Sequence, residues 1–214
     1  MKKFLLSLLD LIYRKRCYFC KSSKHSVKMC PDCYDELSFL DFVPNRIING
    51  VNVFSCGVYE KYLQKLIRGI KYHNQKELAY YLAKFMYEYF CNLNLEGDFQ
   101  VVPVPLHKNR MKKRKYNHMD LVVEEFCRLS GFEANYNLIK RVKDTKPQYS
   151  LSKQQRMENL SKAFVVDKTN LSNKPILILD DICTTGSTFE EMIKTLKANG
   201  INNITCLASS SPNA

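Results

Sequence analysis

The segment Ile176-Leu-Ile-Leu-Asp-Asp-Ile-Cys-Thr-Thr-Gly-Ser-Thr188 gathers two carboxylates, four hydroxyls and a glycine into thirteen consecutive positions. Four apolar residues run into Asp180 and Asp181, where a buried parallel strand would end, and a hydroxyl-rich turn then opens a helix. A helix N-terminus offers unpaired N–H groups and the positive end of a dipole, so a phosphate group sits there favourably. Gly186 lets the backbone approach that phosphate closely, and Thr184, Thr185, Ser187 and Thr188 add hydroxyl donors. Asp180 and Asp181 can accept hydrogen bonds from vicinal sugar hydroxyls, or hold Mg2+ beside a pyrophosphate. Phosphate at one end and a diol at the other describe a ribose 5-phosphate. The plainer alternative is a strand whose two terminal acids cap a helix.

The whole string resembles the phosphoribosyl pyrophosphate (PRPP) signature of type I phosphoribosyltransferases: a hydrophobic strand, two acids, then Thr-Thr-Gly-x-Thr. That resemblance implies an α/β fold with a Rossmann-like, mostly parallel sheet, and PRPP bound with Mg2+. Asp180 and Asp181 would be the catalytic acids on the ribose, and Thr184, Thr185, Gly186, Ser187 and Thr188 would hold the 5-phosphate.

A second chemistry stands at the front of the chain. Cys17-Tyr-Phe-Cys20 and Cys30-Pro-Asp-Cys33 are two C-x2-C knuckles separated by nine residues. Two such knuckles complete a tetrahedral S4 site, which suits structural Zn2+ better than catalysis because no position stays open. A redox pair and an iron–sulfur cluster are the rivals. His25, between the knuckles, reads as a solvated loop residue, since four thiolates already suffice. Nine cysteines, an odd number with the other five scattered, argue against a disulfide framework and for a reducing compartment. Tyr18 and Phe19 among nearby lysines are compatible with stacking on single-stranded nucleic acid, and equally with a purely structural finger.

The third feature is charge. Lys and Arg outnumber Asp and Glu by 33 to 21, giving a net charge of +12, which favours polyanionic partners. The densest run, His107 to His118, holds Lys108, Arg110, Lys112, Lys113, Arg114 and Lys115 with no acid, and Tyr116 and Asn117 follow. Such a run repels itself unless an anion joins it. A pyrophosphate needs one or two of these cations; a nucleic-acid backbone can use them all. A solvated loop is the alternative.

These residues need elements to position them. Leu63, Leu66, Ile67 and Ile70 mark one helix face, and Leu78, Leu82, Phe85 and Tyr89 another. Residues 99–106 read as a strand that its prolines confine to an edge or terminate. Helices over 120–129, ended by Gly131, and after Thr188, ended by Gly200, follow the same logic, with a short strand at 163–166. The polar, basic stretch around 140–156 stands where a loop could close over substrate. Phe4, Leu5, Leu8, Leu9 and Ile12 fit a short amphipathic helix rather than a signal peptide, because Asp10 interrupts the run and no cleavage site follows. No transmembrane segment is evident. The chain divides into a helix and four-cysteine zinc finger over 1–45 and an α/β domain over 46–214.

In order, the knuckles, Val-Pro-Val-Pro-Leu106, Arg114-Lys-Tyr-Asn117, Arg141, Arg156 with Asn159, Ala163-Phe164 and the Asp-Asp-Ile-Cys-Thr-Thr-Gly loop resemble the ComF family of competence-associated, phosphoribosyltransferase-like proteins. The resemblance covers nearly the whole chain. It implies handling of single-stranded DNA in natural transformation, with DNA-uptake proteins at the inner membrane as partners. The location would be cytoplasmic, free or peripheral at that membrane. Arg114 and Lys115 would lie near the pyrophosphate, and Lys108, Arg110, Lys112, Lys113, Arg114, Lys115 and Tyr116 would contact DNA. One departure stands out: Lys115 occupies the place where the family pattern has glycine. The competing expectation is an active phosphoribosyltransferase with an unknown acceptor; an adaptor that senses PRPP is a third.

Overall fold

The computed structural model describes residues 15–107, 109, 111, 115–143 and 163–212. The expected N-terminal helix, the cations Lys108, Arg110, Lys112, Lys113 and Arg114, and the stretch 144–162 with Arg156 and Asn159 lie outside the described residues.

Eight strands and five helices are described: α1 (Pro31–Tyr34), β1 (Arg46–Ile48), β2 (Val51–Val58), α2 (Lys61–Tyr72), α3 (Leu78–Cys91), β3 (Gln100–Pro103), α4 (His118–Ser130), β4 (Glu133–Ala134), β5 (Ile139–Arg141), β6 (Phe164–Val166), β7 (Ile176–Ile182), α5 (Ser187–Ala198) and β8 (Ile204–Ser211). Six strands form one sheet in the order β1-β2-β8-β7-β3-β4. Only the β1–β2 pairing in it is antiparallel. β5 and β6 form a separate antiparallel pair. The chain is thus the mostly parallel α/β protein that the sequence led one to expect.

Why β7 reads as an unbroken apolar run is visible in its two faces. Leu177 and Leu179 enter the core under α2, α3 and α4, while Ile176 and Ile178 enter the core under α5. A strand covered on both faces has no polar side to alternate with. The proline-bearing strand β3 is not at an edge: it lies between β7 and β4, and Pro103, paired with Leu179, is its last residue. Termination, not edge placement, is how the sheet tolerates it.

The β1–β2 hairpin turns through Asn49 and Gly50, both at positive φ (51° and 72°), as a tight two-residue hairpin requires.

The cysteine knuckles do not stand apart from this body. Cys17, Phe19, Met29, Cys30 and Cys33 belong to the same buried cluster as Leu66, Leu78 and Phe85. Phe19 stacks on Tyr62 with ring centres 5.6 Å apart, and Lys65 donates to the Phe19 carbonyl. A Cβ on Gly69 would lie 2.6 Å from Leu78 and 3.2 Å from the Tyr18 ring. Glycine there is what lets the first knuckle lie directly on α2. We expect Gly69→Ala to cost about 1–3 kcal/mol through overpacking, read as a lowered denaturant midpoint with an unchanged slope.

Candidate functional site

The parallel strands β7 and β8 end side by side, and in open α/β sheets ligands bind beyond the carboxyl ends of strands. Asp180 and Asp181 stand at that end of β7. Ser209 and Ser210 at the end of β8 both donate their hydroxyls to the Asp181 carbonyl, at 2.5 and 2.9 Å. After Ile182 the chain turns through Cys183, whose N–H donates to the Ser210 carbonyl, and enters α5 at Gly186. Gly186 is the N-cap of α5 with φ 81°, so an L side chain would be strained there as well as close to Ile48. Thr185 and Ser187 are joined through their hydroxyls at 2.8 Å. The loop and α5 thus supply the helix N-terminus, hydroxyls and close backbone that a phosphate group requires.

The two acids differ sharply. Asp181 is buried and its Oδ2 meets Lys71 Nζ at 2.5 Å and His118 Nε2. Burial pushes its carboxyl up, but Lys71 and His118 outweigh that and hold it well below the usual carboxylate range. Asp180 is half-buried, and burial together with the Asp181 carboxylate pushes it up to about 8, against the pull of Lys71 and Arg141. One acid is therefore committed to internal partners, while the other accepts from the Asp181 N–H at 2.8 Å, stays partly exposed and is the more easily protonated of the two. As arranged, the pair fits a sugar diol, or one Mg2+ ligand from Asp180, better than a carboxylate cage around a bare ion.

Lys71, near the end of α2, gave no local signal in the sequence. His118 sat inside the stretch read as a basic run, although Asn117 before it is a recognisable cap. Asn117 accepts from the Met119 N–H as the N-cap of α4. Three consecutive residues are each tied to a different element: Tyr116 donates its hydroxyl to the Ile70 carbonyl of α2 at 2.7 Å, Asn117 donates to the Val104 carbonyl, and His118 reaches Asp181. The Tyr116 ring also carries the Lys76 ammonium 4.6 Å from its centre. The end of the basic run is in this way fastened beside the acid pair.

Lys115 is exposed and adopts φ 66°, a left-handed conformation in which glycine carries no steric penalty. That explains physically why glycine suits this position. We expect Lys115→Gly to raise stability by up to about 1 kcal/mol, measured by chemical denaturation, while removing a cation.

The thiol sulfurs of Cys17, Cys20, Cys30 and Cys33 all lie within 4.8 Å of one another, and Cys20 and Cys30 are 3.7 Å apart. A tetrahedron of sulfurs about 2.3 Å from zinc has edges of about 3.8 Å, so the set fits the ion. The Cys30 N–H points at the Cys17 sulfur at 3.5 Å, a second support for a thiolate. His25 is exposed between the knuckles. Tyr18 bonds His73 through its hydroxyl, and Phe19 is buried, so both first-knuckle aromatics face α2. Among the described residues, no helix is long and apolar enough to cross a membrane.

No family model matches the chain. Among curated proteins, it is 28% identical to competence protein F of Haemophilus influenzae, over 88% of this chain and 93% of that protein. It is 26% identical to the DNA utilization protein YhgH of Salmonella typhimurium, over 86% and 85%. Competence protein ComFC of Streptococcus pneumoniae is also 26% identical, over 92% and 81%. Among solved structures, a hypoxanthine phosphoribosyltransferase from Staphylococcus aureus aligns over 62% of each chain with 16% identity and a TM-score of 0.38. The fold described above rests on its own strand order and not on that alignment.

Proposed function

We propose that this homologue of competence and DNA-utilization proteins is a ComF-type protein that binds a ribosyl phosphate, PRPP with Mg2+, and handles single-stranded DNA. The observation that supports the ligand is the position of a half-buried Asp180 beside the glycine-capped start of α5, at the carboxyl end of the paired parallel strands β7 and β8. The 5-phosphate takes the α5 N-terminus and the hydroxyls of residues 184–188. The ribose diol takes Asp180, and the diphosphate, with its Mg2+, faces Lys115 and its neighbours. Zinc in the four-cysteine site holds the finger against α2 as a structural ion.

The DNA part of the reading is supported by the names of the relatives and by the net charge of +12. Backbone phosphates joining the Lys108–Lys115 run would give affinity without sequence preference. Calorimetry with PRPP and Mg2+ tests the site: binding is expected in the wild type and lost in Asp180→Asn, and equal affinity in that variant rejects the placement. For DNA, binding of an oligonucleotide should fall steeply with salt, and neutralising Lys112, Lys113, Arg114 and Lys115 should flatten that slope. Binding indifferent to both rejects the DNA reading.

Turnover is the second reading, favoured by the displaced pKa of Asp180, since perturbed groups cluster at reacting sites. Pyrophosphate release from PRPP across a panel of acceptors, with and without DNA, distinguishes a transferase from a binder.

A further inference from the structure

We propose that Arg46 binds the 5-phosphate of the sugar phosphate held by the 183–188 loop, a role that rests on the reading of that loop given above. Arg46 opens β1, the antiparallel strand at the edge of the sheet, outside the segments that define the loop. Its Nη1 lies 3.8 Å from the point where a Cβ on Gly186 would stand, and Ile48, on the same face of β1, comes within 2.6 Å of that point. These two side chains wall the open side of the α5 N-terminus, one with a guanidinium and one with hydrocarbon.

Three observations point to an anion there. Arg46 is half-buried, yet among the described residues no acid pairs with it; a guanidinium without a carboxylate partner favours an anion that reaches it. Its field already extends over the loop: burial pushes the Cys183 thiol up to about 11, and Arg46 pulls against that rise. The backbone beside it is a helix N-terminus, whose own preference is for the same sign of ligand. A terminal phosphate monoester is the chemical class that matches, since its oxygens can accept from the backbone N–H groups on one side and from a two-pronged fork on the other. The diphosphate of PRPP leaves from the opposite end of the sugar, so Arg46 should discriminate between the two ends of the ligand.

The full chain and its Arg46→Gln and Arg46→Lys variants, titrated calorimetrically with ribose 5-phosphate, with PRPP and Mg2+, and with pyrophosphate and Mg2+, test this. Arg46→Gln is expected to weaken ribose 5-phosphate and PRPP by about 10–100-fold. Arg46→Lys should fall between, pyrophosphate should be unchanged, and so should the melting temperature. Equal binding of ribose 5-phosphate by wild type and Arg46→Gln overturns the role of Arg46 and leaves the loop reading intact. Equal weakening of pyrophosphate also overturns it, because the effect would then be a general field. A wild type that binds neither sugar phosphate removes the reading of the loop, and this inference with it.

Discussion

Asparagine at position 181 is expected to destabilise the protein by about 3–5 kcal/mol, the usual cost of stranding a buried charge, whereas asparagine at position 180 is expected to stabilise it. The substitutions are chemically identical and one residue apart, so the contrast comes from environment alone. Asp181→Asn leaves Lys71 and His118 facing a neutral amide in a buried setting. Asp180→Asn removes a carboxyl that burial and a like charge disfavour in its ionised form. The two shifts also fix the pH dependence. Asp180 has a raised folded pKa, so its contribution is fully present below about pH 4 and is lost as pH rises toward 8. The advantage of Asp180→Asn over wild type should therefore grow across that window and level off above it. Asp181 is lowered, so its contribution is present above about pH 4 and fades as acid protonates it. Urea melts of both variants from about pH 2.5 to 9 check this; equal destabilisation by the two changes would show that the acids share one environment.

With zinc in the four-cysteine site as proposed, its removal is the second large expected effect. Structural zinc contributes about 10–16 kcal/mol to isolated finger peptides. Part of that will be retained here by the packing of Tyr18 and Phe19 on α2. A loss of about 4 kcal/mol or more, roughly 10 °C in melting temperature for a chain of this size, is expected on chelation. The informative comparison is between cysteines: Cys20 is exposed and Cys33 is buried. If packing alone mattered, Cys20→Ser would be nearly silent. With a metal in the site, it should cost about as much as Cys33→Ser and abolish stoichiometric zinc in the purified protein.

What could be read from the chain was whatever is local. The run from Ile176 through Gly186 into α5 carries strand, acids, turn and helix signals in contiguous residues, and the C-x2-C spacing encodes its own geometry. The helix faces of α2 and α3 followed from apolar periodicity, and Gly131 and Gly200 ended α4 and α5 at positive φ. The β1–β2 hairpin also carries a local signal, Asn49-Gly50, although neither it nor β8 is among the elements expected from periodicity. For the 99–106 strand the prolines left edge placement and termination open; local sequence could not choose between them, and tertiary pairing put β3 inside the sheet with Pro103 ending it. The partners of Asp181 were beyond reach for a different reason. Lys71 and Asp181 are distant in sequence, and neither spacing nor composition carries the information that α2 and β7 converge. Arg46 escaped for the same reason.

Ser209 and Ser210 hold the Asp181 carbonyl while Lys71 and His118 hold its carboxylate, so main chain and side chain are both fixed before any ligand arrives. On the proposed reading, the sugar that Asp180 takes therefore docks beside a neighbour that has no rotamer left to lose. The entropy of immobilising Asp181 does not enter the association, and its cost falls on the ligand and on the groups that move to meet it.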